Sequence, residues 1–148
     1  MTDNNLKTEF MDEAFQTAKT SIGEVPVGAV LVKGGKIIAK SANLKETENN
    51  PCLHAEIAAI TEACKVLNTW RLDDTSIYIT LEPCPMCAAA ILYARIPYVY
   101  FGAYDSLYGA FGSALNMQDY INFYPQIKGG IMEKECSELL KEYFQARR

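Results

Sequence analysis

The sequence predicts an α/β domain in which helices cover a mostly parallel β-sheet that carries an antiparallel hairpin at one side. Three observations lead to this fold class. Strand-like and helix-like segments alternate over most of the chain, only Gly34 and Gly35 separate two strand-like runs, and 49% of the 148 residues are hydrophobic. That length and composition suit one globular domain with a substantial core, so residues 1–148 are expected to form a single domain.

The first half of the chain predicts a helix, a hairpin, a second helix and a strand. Apolar residues recur at helical spacing between residues 5 and 20, for example Phe10, Ala14 and Ala18. The run VPVGAVLVKGGKIIAKSAN places the glycine pair, which a tight primed turn accepts, between two strands. HAEIAAITEACKVL then predicts a helix, and TSIYITL predicts a short strand rich in β-branched residues.

The second half continues the alternation. CPMCAAAILYA is rich in alanine and predicts a helix that ends before Pro97, and YVYFGA predicts the next strand. QIKGGI predicts a last strand. The final segment, EKECSELLKEYFQARR, places an apolar stripe on one face of a helix, from Cys136 to Phe144.

Composition and charge exclude several classes of protein. The longest apolar run, CAAAILYA, is much shorter than the roughly 20 residues that cross a bilayer. The start of the chain lacks the basic and apolar blocks of a signal peptide, so a cytoplasmic protein without a membrane partner is expected. Five irregularly spaced cysteines argue against a disulfide framework. A net charge of -4 does not indicate the basic face typical of nucleic-acid binding.

Three side chains are candidate ligands of one metal ion. Cys84 and Cys87 are separated by two residues at the start of a predicted helix, where residues three apart share a face. Such a pair alone is also compatible with a redox pair or half of a structural zinc site. His54, the only histidine, also opens a predicted helix. One nitrogen and two sulfur ligands would leave the fourth tetrahedral position of Zn²⁺ to water, as in catalytic zinc sites.

Glu56 is the candidate general base beside that ion. Two thiolates neutralise Zn²⁺, so a carboxylate that accepts the proton of the water is useful. Residues two apart point to different sides of a regular helix, so His54 and Glu56 can face one ion only if His54 lies at the edge of the first turn.

These motifs carry a resemblance. His-x-Glu followed by Pro-Cys-x-x-Cys is the signature of zinc-dependent nucleobase deaminases. The segments EVPVGAVLV, HAEI, LEPC, MCA and FGA, together with GA, GS and the EC--LL---F pattern near the end of the chain, follow in order. The chain therefore resembles the bacterial tRNA adenosine deaminases over nearly its whole length.

The resemblance implies a three-layer α/β/α fold with a mixed five-stranded sheet and helices on both faces. It also implies hydrolysis of adenosine to inosine at the wobble position of a tRNA anticodon, by a homodimer that holds one Zn²⁺ per subunit. In this family both subunits hold the anticodon stem-loop. Glu56 would take a proton from the water and deliver protons to the ring nitrogen and the leaving amine, and Asn43, Asp105 and Phe144 would contact the substrate.

Each substrate residue also has a simpler structural explanation. Asn43 could satisfy its own loop, Asp105 could form a turn, and Phe144 lies on an apolar stripe that suggests core packing.

Two departures from the family pattern keep alternatives open. Leu107 stands where a lysine is usual, and together with the acidic charge it favours a deaminase of a free base or nucleoside, of cytosine, guanine, cytidine or adenosine type. Cys52 stands where threonine is usual. A fourth ligand at Cys52 would close the site and give a zinc-folded module that is not an enzyme.

Overall fold

The computed structural model describes residues 3–147. Its four helices are α1 (Asp3–Lys19), α2 (Ala55–Leu67), α3 (Pro85–Tyr93) and α4 (Glu133–Gln145). Its five strands are β1 (Gly28–Lys33), β2 (Lys36–Ala42), β3 (Thr75–Leu81), β4 (Tyr98–Ala103) and β5 (Gln126–Lys128). A single 3₁₀ turn, Met117–Asp119, precedes β5. The predicted elements are all present, in the predicted order.

The hairpin between β1 and β2 forms at the glycine pair. Gly34 and Gly35 have φ values of 59° and 75°, in the left-handed region that a type I′ turn needs at both central positions. The two strands pair antiparallel from Lys33 and Lys36 outward. Local turn chemistry therefore sets the register of this edge of the sheet.

The sheet is mixed, with the strand order β2-β1-β3-β4-β5. β3 pairs parallel with β4, and β4 pairs parallel with β5. β1 pairs antiparallel with β2 and also with β3. The expectation of a mostly parallel sheet is therefore wrong for the pairing of β1 with β3. The cause is the crossover through α2, which carries the chain from β2 to β3 past β1 and leaves β1 between two strands that run the other way.

Helices cover both faces of the sheet, which confirms the three-layer architecture. Alanines of α2 and apolar residues of α3 pack against one face, where the strands contribute Leu31, Ile77, Ile79, Val99 and Phe101. On the other face α1 and α4 pack against residues of alternate parity, including Val30, Tyr78 and Tyr100. The second face contacts Phe10 and Met11 of α1 and the buried thiol of Cys136 in α4.

One close contact fixes α1 on the sheet. A Cβ atom at Gly28 would lie 2.1 Å from the carbonyl oxygen of Ala14, so only glycine allows β1 to approach the helix this closely. None of the helices, over the residues described, has the length and apolar character that a membrane crossing requires.

Candidate active site

Two helix N-termini meet at the candidate metal site. His54 is the N-cap residue of α2 and Cys84 is the N-cap residue of α3, and both have extended backbones, with ψ values of 158° and 171°. Pro85 follows Cys84 at the first helical position, where its missing N–H has no cost. Within a helix, residues two apart point to different sides. His54 precedes the first helical residue and has an extended backbone, so this restriction does not apply to His54 and Glu56. His54 and Glu56 can therefore face the same point.

The three ligand atoms are spaced for a tetrahedral ion. The Nδ1 atom of His54 lies 3.6 Å from the Sγ atom of Cys84 and 3.5 Å from that of Cys87. Zinc bonds of about 2.0 Å to nitrogen and about 2.3 Å to sulfur at tetrahedral angles predict a separation of about 3.5 Å. Over the described residues this group, whose ligand atoms all lie within 4.8 Å of one another, is the one cluster suited to a metal. The donor set thus fits Zn²⁺ without rearrangement.

The two thiols differ in acidity. Hydrogen bonds from Cys87 and His54 outweigh the effect of burial and lower the pKa of Cys84 to about 4, so Cys84 is a thiolate at neutral pH. The hydrogen bond that Cys87 makes to Cys84, together with burial, raises the pKa of Cys87. A bound zinc ion would deprotonate this second thiol as well, because metal ligation competes directly with the proton.

Glu56 is a buried carboxyl in the first turn of α2, with 4% of its surface exposed. Burial raises its pKa to about 7. A bound cation would lower this pKa again, because a nearby positive charge favours the carboxylate. Burial thus moves the pKa of Glu56 toward the range in which a carboxyl exchanges a proton at physiological pH, which a general acid and base requires.

A cleft of about 350 Å³ opens beside this cluster. His54, Glu56 and Cys84 all line it, so the candidate ligands and the candidate base face a common space. The volume lies at the lower end of the range for small-molecule sites, which suits one base or nucleoside. The arrangement can therefore present one activated water to one small planar ligand.

Comparison with known proteins identifies the family. The cytidine and deoxycytidylate deaminase zinc-binding region matches residues 4–103 of the chain. The chain belongs to this deaminase family. It is 44% identical over its whole length to the tRNA-specific adenosine deaminase of Bacillus subtilis (strain 168), of which the match covers 92%.

Two solved structures support the same family at the level of the fold. One, from a study of A-to-I editing by tRNA:A34 deaminases at the wobble position of transfer RNA, has a TM-score of 0.87 at 42% identity and covers 89% of this chain and 99% of that chain. The other, a guanine deaminase from Bacillus subtilis, has a TM-score of 0.63 at 42% identity and covers 70% of this chain and 66% of that chain. The resemblance found in the sequence is thus confirmed. The protein is a zinc-dependent hydrolytic enzyme, and His54, Cys84 and Cys87 are its candidate zinc ligands.

Asn43 lines the cleft of the deaminase, but its amide is already engaged. Its Oδ1 atom accepts a 2.7 Å hydrogen bond from the amide of Ala55, and its Nδ2 atom donates a 2.9 Å bond to the carbonyl of Val25. Since Ala55 is the first residue of α2, Asn43 fixes the helix start that presents His54. A substrate contact by Asn43 stays a prediction.

Asp105 also lines the cleft, and its carboxylate shapes its own turn. The Oδ1 atom accepts hydrogen bonds from the amides of Leu107, at 3.0 Å, and Tyr108, at 3.1 Å. This is the turn-forming role that the sequence offered as the simpler explanation. Leu107 itself is exposed.

Phe144 is not among the residues that line the cleft, whereas its neighbour Tyr143 is. The alternative of core packing for Phe144 is wrong, because 51% of its surface is exposed. Its ring instead contacts that of Tyr143 edge to face, with the centroids 5.1 Å apart. The packing of α4 brings Tyr143 to the cleft, and a substrate contact by Phe144, which the resemblance implies, stays a prediction.

The cysteines outside the site are separate from it. Cys52 is exposed, lies outside the metal cluster, and has its amide bonded to the side chain of Asn50. Nothing in the geometry favours Cys52 as a fourth ligand. Cys136 is buried, and burial raises the pKa of its thiol to about 12, which agrees with its interpretation as a small core residue. Cys64 is half-buried and packs against the core of α2 and α3.

Two buried carboxylates of the cleft were missed by reasoning from the sequence. Glu24 and Glu82 line the cleft, and 4% and 2% of their surfaces are exposed. Glu24 accepts hydrogen bonds from the amides of Glu46 and Thr47 and from the Thr47 hydroxyl. Their positions in the sequence could have indicated them. Each glutamate adjoins an apolar strand-like run, where burying a charged side chain is costly unless it has hydrogen-bond partners.

Proposed function

We propose that this deaminase converts adenosine to inosine at the wobble position of a tRNA anticodon. The observation that carries the proposal is the full-length likeness to tRNA-specific adenosine deaminases. The cleft supports it, because it combines a three-ligand metal site with a buried acid and base beside room for one base.

The reaction needs a target base outside its stack. A cleft of this size holds one nucleoside and not a folded loop, so the anticodon must deliver a flipped-out adenosine. His54, Cys84 and Cys87 would hold a zinc ion, which would supply the Lewis acid that makes water nucleophilic near neutral pH. Glu56 would accept a proton from the attacking water, whose oxygen bonds to C6 of the adenine, and would deliver protons to the ring nitrogen and to the amine, so that the C6–N bond breaks and ammonia departs.

The rim of the cleft offers a further contact for RNA despite the acidic net charge. Tyr108 lines the cleft and is 65% exposed, and an exposed aromatic ring is a stacking surface for a neighbouring base. Lys45 also lines the cleft, and its half-exposed ammonium, 4.0 Å from the carboxylate of Glu46, is a cation that a phosphate can approach.

The enzyme is proposed to act as a homodimer with one zinc ion per subunit. Support comes from the family resemblance. Sedimentation equilibrium measures the oligomeric state directly. A cytoplasmic location stays a prediction.

A second candidate function is deamination of a free purine such as guanine. The likeness to a guanine deaminase at 42% identity favours it, as does the net charge of -4, since a free base requires no basic surface. The candidate zinc site suits both reactions equally, so only an assay with each substrate distinguishes the two functions.

The test is inosine formation in a synthetic anticodon stem-loop that carries adenosine at the wobble position. Free adenosine and guanine are assayed in parallel, and Glu56→Gln is the matched control. Conversion of the stem-loop by the parent and not by the variant supports the proposal. Conversion of a free purine with none of the stem-loop overturns it in favour of the second candidate.

A further inference from the structure

The buried carboxylate of Glu82 is bonded entirely to one surface segment. Glu82 directly follows β3, and its Oε1 atom accepts hydrogen bonds from the amide of Asp105, at 3.2 Å, and from the Ser113 hydroxyl. Its Oε2 atom accepts from the amides of Phe111, at 3.1 Å, and Ser113, at 3.2 Å. One side chain thus holds both ends of residues 105–113, which we name the cleft loop.

The chemistry of this contact requires a carboxylate. A carboxylate is an acceptor with about four lone-pair sites, and four donors of the cleft loop fill them. Among the ion pairs of the described residues none includes Glu82, so these hydrogen bonds alone offset the cost of burying its charge. A glutamine at this position would turn an NH₂ group toward at least one N–H donor, and that donor would lose its acceptor.

The cleft loop packs tightly against this carboxylate. A Cβ atom at Gly109 would lie 2.4 Å from the carboxyl carbon of Glu82, so any side chain there would displace the loop. The next amide, that of Ala110, donates a 2.8 Å hydrogen bond to the carbonyl of Pro83, immediately before Cys84. The loop is therefore anchored at the segment between β3 and α3, immediately before Cys84.

The first half of the cleft loop also forms a wall of the cleft. Asp105 and Tyr108 line it, and the carboxylate of Asp105 holds the amide of Tyr108. Hydrogen bonds therefore connect Glu82 to the amide of Asp105, and the side chain of Asp105 to the amide of Tyr108, whose ring is exposed.

We infer that Glu82 is a positioning residue, which holds the cleft loop in the shape that receives the substrate nucleotide without itself exchanging a proton. The identity of that substrate rests on the proposed function. Glu82 acts on substrate binding through the cleft loop, whereas Glu56 acts on the chemical step.

The experiment compares Glu82→Gln with Glu13→Gln, which removes a carboxylate from a surface ion pair with Lys40 outside the cleft. Zinc content, hydrogen exchange of residues 105–113, and KM and kcat on the anticodon stem-loop are measured for each zinc-loaded protein. For Glu82→Gln we expect full zinc, faster exchange of the cleft loop, a KM raised about tenfold and a kcat within about threefold, because the loosened cleft loop contacts the bound substrate and the transition state alike. Glu13→Gln should match the parent.

Ser113→Ala provides a milder variant if Glu82→Gln does not fold. It removes one donor and keeps the carboxylate, so KM should rise about threefold. An unchanged KM together with faster exchange overturns the inference, as does a fall in kcat with KM unchanged, or exchange equal to that of the parent. If the parent enzyme deaminates only a free purine, the proposed tRNA substrate is refuted. The KM of Glu82→Gln for that purine, compared with the KM of the parent, then tests the role of Glu82 in the same way.

Discussion

Replacing Glu56 by glutamine should separate the chemical role of this residue from any structural role. Glutamine has nearly the same size and shape, so the substitution leaves no cavity at a side chain that is 4% exposed. The metal ligands His54, Cys84 and Cys87 are untouched. The variant should therefore bind zinc like the parent while it loses the group that carries the proton.

The activity should fall by a factor of about 10² to 10⁴, which is the usual contribution of a positioned acid and base. The stability of the metal-free protein should change in the opposite direction. Burial raises the pKa of Glu56 from 4.5 to about 7, so above neutral pH the folded protein carries an ionised carboxylate in an unfavourable environment. At about 1.4 kcal/mol per pKa unit, that ionised group costs the metal-free fold about 3 kcal/mol.

The sign of this effect depends on pH. For a carboxyl whose pKa is raised on folding, the cost is absent below the unfolded value of 4.5, grows as pH rises, and is complete above about 7. Unfolding by denaturant, with chelator present, should show Glu56→Gln more stable than the parent at about pH 8 and nearly equal to it at about pH 4.

Two measurements could refute this reasoning. Deamination at more than about a tenth of the parental rate, with full zinc content, would exclude Glu56 as the acid and base. A variant that is less stable than the parent at about pH 8 would contradict the cause given for the raised pKa.

Two further predictions concern the metal ligands and the buried carboxylate of Glu24. Cys87→Ser should lose most of its zinc and activity, whereas Cys52→Ser should keep about one zinc per chain by mass spectrometry; loss of zinc from Cys52→Ser would restore the four-ligand hypothesis. Glu24→Gln should lower the free energy of unfolding by about 1 to 3 kcal/mol near pH 7 through weakened hydrogen bonds to the loop at Thr47. Burial raises the pKa of Glu24, but bonds from Thr47 and Glu46 outweigh it and lower the pKa, so the stabilisation is lost as pH falls through the folded value and parent and variant should converge in acid denaturation.

Most helices and strands could be predicted from the sequence, because each is indicated by residues close together in the chain. The glycine pair at Gly34 and Gly35 predicted the hairpin, apolar periodicity predicted α1 and α4, and the composition of the local segments predicted α2 and α3. The pairing of β1 with β3 was not predictable in this way, because strand order depends on where the α2 crossover places β3 relative to β1. Tertiary packing alone chooses between those arrangements.

The candidate site divides in the same manner. Residue type and spacing predicted His54, Cys84, Cys87 and Glu56, because zinc chemistry demands particular atoms. The family resemblance implied that Phe144 contacts the substrate, and this stays a prediction; the packing of α4 on the sheet brings its neighbour Tyr143 to the cleft.

By itself, the sequence determined which atoms can bind a metal ion and move a proton, since these are properties of single side chains. Only the tertiary structure decided which groups hold them in place. Glu24 and Glu82 each bind a loop more than twenty residues away, through backbone amides that carry no side-chain signature. Such contacts exist only after the chain has folded, because a backbone amide is the same chemical group at every position and geometry alone selects its partner.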